Sequence, residues 1–144
     1  MTVSVHLAAR SDLDEIYALR YVVFVVGQNV PADIELDELD ATATHAVARL
    51  DGDVVGTGRL LAPPAPGEPA VIGRMAVSAE TRGTGVGAAL LALLEETARA
   101  QGWPTVELHA QVHARGFYDR AGYTAFGDPY LEAGIEHVSM RKSL

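Results

Sequence analysis

One stretch constrains this chain more than any other: Val71 to Arg99, VIGRMAVSAETRGTGVGAALLALLEETAR. An apolar run over Val71–Val77 has the length of a strand. A loop from Ser78 to Gly85 follows, with Arg82 and glycines at every second position: Gly83, Gly85 and Gly87. From about Val86, Leu90, Leu93, Leu94 and Thr97 recur at helical spacing. A strand that enters a glycine-rich turn and then opens a helix builds an anion pocket. The first N–H groups of a helix lack internal partners, and the helix dipole adds positive potential there. Glycine lets the backbone take positive φ and approach a ligand closely, and Arg82 offers a planar fork suited to phosphate oxygens. The turn reads as a pyrophosphate holder.

The remaining chain narrows the class. At 144 residues, 49% of them apolar, it is long enough for one domain with a substantial core. It has no cysteine, which removes disulfides, thiolate metal sites and cysteine nucleophiles. No apolar run reaches membrane-spanning length, and MTVSVHLAARSD lacks the basic and apolar regions of a secretory signal. A cytoplasmic protein is the expectation. A formal net charge of −8 argues against general nucleic-acid binding. It suits cationic partners such as amines, although an ordinary acidic surface explains it equally.

In chain order, Val3, Val5 and Leu7 alternate as a first strand. Ser11 with Asp14 resembles a capping box, and Leu13, Ile16, Tyr17 and Arg20 follow a helical period. This helix runs into the β-branched stretch YVVFVV and ends near Gly27. The acid-rich segment Asn29–Thr42 reads as a loop with one short helix. His45–Leu50 and Val54–Leu61 form a hairpin about Asp51-Gly52. After the central strand–turn–helix come a strand at Thr105–Gln111, a short helix at Arg115–Ala121 capped by Gly122, and strands at Tyr123–Phe126 and Glu136–Arg141, split by a loop at Gly127–Gly134. The order β-α-(α)-β-β-β-α-β-α-β-β predicts a mixed α/β sheet.

GTGVGA also fits the dinucleotide fingerprint G-x-G-x-x-A, with Glu107 about twenty residues downstream. The context disfavours that reading. Ser78–Arg82 separate strand from glycines, an antiparallel hairpin precedes, and too little chain follows for further parallel crossovers. A P-loop is excluded because no Lys-Ser or Lys-Thr follows the glycines.

RGTGVG at Arg82–Gly87 resembles the R/Q-x-x-G-x-G/A signature of the GNAT superfamily of acyl-CoA-dependent N-acyltransferases. VIGRMAV stands where that family places its cofactor-lining strand, and GFYDRAGYTAFG at Gly116–Gly127 resembles its F-Y-x-x-x-G-F element. The order of elements agrees from the first strand to Met140. More narrowly, LRYVVFVVGQNVP, Asp37, Asp40, His45, IGRMAVS, LHAQVHARGFYDRAGY and YLEAGIEHVSM resemble the ElaA-type branch. One departure is Gly27-Gln28, where that branch usually carries Glu-Gln.

The resemblance implies a GNAT fold with a mostly antiparallel sheet, and acetyl-CoA as co-substrate. It implies that the backbone of Arg82, Gly83, Thr84, Gly85, Val86, Gly87 and Ala88 holds the pyrophosphate, and that Met75, Ala76 and Val77 pair with the pantetheine arm. It further implies direct transfer of acetyl to an amine through a tetrahedral intermediate, with Tyr118 beside the sulfur as general acid. Packing of Tyr118 as an aromatic plug beside Phe117 is the alternative. The strand Val71–Val77 lacks the Glu that many relatives use as base, which leaves His109, His113, Glu132 and His137 as candidates.

Arg59 and Arg74 lie in apolar strands and need partners. They either clamp an anionic group on the acceptor or pair with Glu107 or an acid from Asn29–Thr42. Gln111 is expected to line the acceptor pocket. His109 and His113 have the spacing of zinc ligands on a helix, but they sit at a strand end without a third ligand, so no metal is expected. A homodimer is common in the family. A weakly catalytic acyl-CoA-binding module on the same fold is the competing function.

Overall fold

The computed structural model describes residues 3–144. Seven strands form one sheet in the order β1-β2-β3-β4-β5-β7-β6: β1 Val3–Leu7, β2 Thr44–Leu50, β3 Asp53–Leu61, β4 Ala70–Val77, β5 Thr105–Gln111, β6 Thr124–Glu132 and β7 Ile135–Ser143. All neighbours are antiparallel except β4 and β5. The helices are α1 Leu13–Arg20, α2 Ala32–Glu35, α3 Val86–Ala100 and α4 Arg115–Arg120. The predicted element order holds throughout.

Local chemistry explains most boundaries. Asp51 and Gly52 both take positive φ, 51° and 90°, the pair that a two-residue type I′ hairpin needs. Gly122, at φ 97°, ends α4 while the Tyr123 N–H reaches the Tyr118 carbonyl at 3.0 Å. On one sheet face, Leu90, Leu91 and Leu94 of α3 pack into the main core with Leu60, Ile72, Leu108 and Met140. Gly56 and Gly58 of β3 lie under α3, where a Cβ on Gly56 would stand 2.8 Å from Leu90 Cδ1. On the opposite face, Val47 pairs with Thr57, and both are buried beneath α1 along with Ile16.

Two local readings are corrected. The Ser11–Asp14 capping box does not form. Instead a 3-10 turn at Arg10–Asp12 leads into α1, and the Asp12 carboxylate accepts from the Ala9 N–H at 2.7 Å. Asp12 is also held at 2.7 Å by Arg49, which fixes the turn one step earlier than the pattern suggested. The segment expected as a loop over Gly127–Gly134 is mostly strand. Gly127 and Pro129 mark an irregularity between Phe126 and Tyr130 in an edge strand, where proline's missing donor is tolerated. The reversal is confined to Ala133 and Gly134, both with positive φ. Glu95 of α3 is buried, accepting from Tyr123 Oη at 2.7 Å and Lys142 Nζ at 3.0 Å, while Arg99 pairs with Glu96.

The helix that begins as α1 widens into π-type turns over Tyr21–Val26. Beyond it, α2 and a 3-10 turn at Glu38–Ala41 are tied to the sheet by buried charges. Arg20, fully buried, binds Glu35 at 2.6 Å and Asp40 at 2.7 Å. Arg59 of β3 binds Asp37 at 2.7 Å and Asp40 at 3.0 Å. Burial alone would raise the Asp40 pKa. Hydrogen bonds and charge from Arg20, the Asp37 N–H and Arg59 outweigh that and hold it at about 2.

Two expectations follow. Asp40→Asn removes the anion between two buried guanidiniums and should lower the unfolding free energy by about 3–5 kcal/mol in urea at neutral pH. Because the Asp40 carboxyl sits at about 2 rather than 3.8, its contribution is full above the ordinary value and is lost as pH falls through the folded one. Wild type should therefore lose stability over that acid window more steeply than the variant. Gly58→Ala drives a methyl onto the Met75 sulfur and to 2.9 Å from Leu94 Cδ1, and should cost about 1–3 kcal/mol by the same measurement.

Candidate active site

The site begins where β4 leaves β5. The two strands pair only at Ala70–Val106, Val71–Glu107 and Ile72–Leu108. From Gly73 to Val77, β4 stays bonded to β3 on one side and, among the described residues, has no strand on the other. A β-bulge sharpens the divergence: the register between Thr57–Ala76 and Arg59–Gly73 sets Gly58 opposite both Arg74 and Met75. Arg74 takes φ 53°, a strained value for a residue with a side chain. Meanwhile β5 remains paired to β7 as far as Gln111–His137. The gap opens into a cavity of about 740 Å³.

Met75, Ala76, Val77 and Arg82 line the cavity's β4 side, and Tyr118 lies on the same cavity from α4. The turn Arg82–Gly85 continues from its mouth. Gly83 and Gly85 have φ of 79° and 88°, and a Cβ on either would meet nothing, so the turn presents backbone to open space at the start of a 15-residue helix. Thr84 Oγ1 bonds the Thr81 carbonyl and Val86 is buried, which pin the two ends of the turn. Gly87 admits the Phe117 ring to 3.4 Å of a notional Cβ, and this close approach sets α4, with Tyr118, against the first turn of α3. Arg82 Nε donates to the Val77 carbonyl at 3.1 Å. This backbone cradle, open to solvent and beside a guanidinium, fits a pyrophosphate.

Tyr118 is 9% exposed, edge-on to Phe117 at 5.0 Å and to Tyr123 at 6.0 Å. Burial pushes its phenol up to about 12. Packing and access to the cavity thus coexist at this residue.

Gln111, Glu132 and His137 face the cavity from the far wall. His137 is buried, and its Nδ1 lies 2.7 Å from the Ile135 carbonyl oxygen. A carbonyl only accepts, so Nδ1 carries the proton and Nε2 of the neutral ring keeps a lone pair. Nε2 stands 3.7 Å from a Glu132 carboxylate oxygen, and the ring stacks on Tyr130 at 6.0 Å. His109 is engaged by Glu107 at 2.9 Å, and His113 bonds the Gln111 side chain. His45 lies elsewhere, bonded through Nε2 to the Asp40 carbonyl at 3.0 Å.

Arg59 and Arg74 also reach the cavity, but their surroundings differ. Arg59 is paired with Asp37 and Asp40 from the segment Asn29–Thr42, the pairing alternative of its two readings. Glu107 binds Arg141 and His109 instead of either arginine. Arg74 is held by the Glu35 carbonyl at 3.0 Å, the Ile34 carbonyl at 3.3 Å and the outer edge of Asp37 at 3.3 Å. Burial, then the charges of Arg59 and Arg20, lower its pKa.

Sequence reasoning missed two features. Gln28 and Gln111 exchange amide hydrogen bonds at 3.1 and 2.7 Å across the cavity. Nothing in the local pattern pairs residues so far apart in the chain. Arg20 anchors the buried charge cluster, and its place on the apolar stripe of α1 was the available signal.

Comparison with known proteins agrees with this geometry. The profile of the acetyltransferase (GNAT) domain family matches residues 23–144. Protein ElaA of Escherichia coli is 36% identical over 137 residues, covering 93% of this chain and 89% of ElaA. The ElaA crystal structure superposes with a TM-score of 0.87 at 31% identity, over 99% of this chain and 100% of that one. An acyl-CoA N-acyltransferase from Pseudomonas aeruginosa gives a TM-score of 0.86 at 33% identity, over 99% and 100%. The chain has the acyl-CoA N-acyltransferase fold, and it belongs to the GNAT acetyltransferase family as a relative of ElaA.

Proposed function

We propose that residues 1–144 act as one acetyltransferase domain that moves an acetyl group directly from acetyl-CoA to a primary amine. The observation that carries this reading is the unpartnered edge of β4 from Gly73 to Val77 opening into the cavity that holds Tyr118 and His137. Acetyl-CoA supplies the activated thioester; the protein contributes binding, orientation and charge management.

The N–H groups from Arg82 to Ala88 hold the pyrophosphate. The free edge at Met75–Val77 pairs with the pantetheine arm as a neighbouring strand would, and one of its N–H groups donates to the thioester oxygen. That bond strengthens as negative charge grows there, which lowers the barrier. Tyr118, with its phenol raised to about 12, stays protonated at every working pH and donates to the sulfur as the thiolate departs. His137 takes the amine proton on Nε2, directly or through a water. Its Nδ1–H bond to Ile135 fixes the tautomer, and Glu132 stabilises the imidazolium.

The test is calorimetric titration with acetyl-CoA, followed by thiol release on a panel of primary amines. Binding with turnover supports the reading, whereas tight binding without turnover would favour an acyl-CoA-binding module. Tyr118→Phe should lower kcat by about 100-fold and leave acetyl-CoA affinity within about twofold. His137→Gln should depress kcat/KM at neutral pH by about 100-fold in the same thiol-release assay.

A further inference from the structure

Arg59, Arg74, Glu35 and Asp37 line one side of the cavity, and Arg20 and Asp40 lie buried in the same ion-pair cluster. Arg20 and Arg59 consume the carboxylates. Both oxygens of Glu35 bond Arg20, at 2.6 and 3.2 Å. Both oxygens of Asp40 bond Arg20, at 2.7 and 3.0 Å, and one also takes Arg59 at 3.0 Å. Asp37 faces Arg59 with both oxygens, at 2.7 and 3.0 Å. What is left for Arg74 is one long contact to Asp37 at 3.3 Å and two uncharged carbonyls. Its Nη1 makes no hydrogen bond among the described residues. The Arg20 and Arg59 side chains are sealed, at 1% and 6% exposure, whereas that of Arg74 keeps 27%.

Arg74 therefore differs in kind from its neighbours. A guanidinium at the wall of a cavity whose one carboxylate, Asp37, is taken more closely by Arg59 has donors left for a further anion. Two further facts point the same way. The residue is held at φ 53° on the β4 bulge, and backbone strain of this kind persists where the site requires it. It also stands on the acceptor side of the free β4 edge. At about 3.3 Å per residue, Val77 lies roughly 10 Å further along, and the pyrophosphate turn lies beyond that, so the cofactor's phosphates are out of reach.

Resting on the function proposed above, we infer that the acceptor is a primary amine that also carries a carboxylate: Arg74 takes the carboxylate while the amine faces His137 and Glu132. The apolar side chains of Val23, Phe24 and Ile34, which line the same cavity, accommodate the carbon body between the two ends.

The experiment compares matched acceptors that differ only in the carboxylate: leucine with isopentylamine, and γ-aminobutyrate with propylamine, at saturating acetyl-CoA. At least one aminocarboxylate should exceed its decarboxylated partner in kcat/KM by about tenfold or more, chiefly through KM. Arg74→Gln should erase that ratio while retaining turnover of the plain amine and acetyl-CoA affinity, and Arg74→Lys should restore part of it. Thermal melting of both variants controls for the lost carbonyl contacts, and the ratio within each variant is independent of how much of it folds.

Plain amines acetylated as well as aminocarboxylates would overturn this inference and leave the acetyltransferase reading intact. So would a preference that survives Arg74→Gln, or an Arg74→Gln effect confined to acetyl-CoA binding. Acetyl-CoA binding with no amine acetylated would remove both.

Discussion

Backbone N–H and C=O groups in a protein interior need partners, and β4 presents a run of them, from Gly73 to Val77, to no strand at all. An open edge inside a sheet is otherwise a defect, since each polar group removed from water without a bond costs about 1–3 kcal/mol. Here the surrounding structure enforces it. The bulge opposite Gly58 turns β4 away, β5 is held by seven register pairs to β7, and α3 and α4 brace the two strands from one face. The cavity is the consequence of one strand committed to β3 and the next committed to β7.

Keeping such a gap open requires rigid walls, and the two walls use different physics. Behind Tyr118 the wall is apolar packing: the phenol sits among Phe117 and Tyr123, and Tyr123 is locked through Glu95 to α3. On the opposite wall α2 spans only four residues, Ala32–Glu35, too few to hold themselves helical. The buried ions hold that segment. Arg20 from α1 and Arg59 from β3 grip Glu35, Asp37 and Asp40, so a chain rich in turns is fixed to the sheet by directional, charge-assisted bonds.

Much of this could be read in the residues, and the limits have physical causes. The strand–turn–helix at Val71–Arg99 was legible because it combines a local period with glycines whose positive φ the turn requires. The Asp51-Gly52 hairpin and the Gly122 cap were legible for the same reason. What was not legible depends on pairing between distant segments. Gln28 with Gln111, and Glu95 with Tyr123 and Lys142, leave no local trace. Gly127 and Pro129 misled because the same residues mark a loop or a bulged edge strand, and only the neighbouring β7 decides between them. Arg59 and Arg74 read alike in sequence, as charges in apolar strands. Only the count of carboxylates around each one separates a structural ion from one with spare donors.

In the reaction proposed above Tyr118 is the acid, and its burial bears on that role in two ways. In water, a phenol at 10 facing a thiol near 8.5 makes proton transfer to the thiolate uphill by about 1.5 units. The site raises the phenol to about 12, which on its own widens the gap. In the proposed reaction the departing sulfur would enter the same low-dielectric pocket, and desolvation raises a thiol as it raises a phenol, because both acids are neutral and both conjugate bases are anions. The two values would then move in the same direction. A neutral donor held there by Phe117 and Tyr123 would supply a hydrogen bond that relieves the penalty on the thiolate as it develops. An ionised group there would need a counterion of its own. A buried, uncharged hydroxyl needs none, and the edge-on contacts of Phe117 and Tyr123 fix where the Tyr118 ring lies.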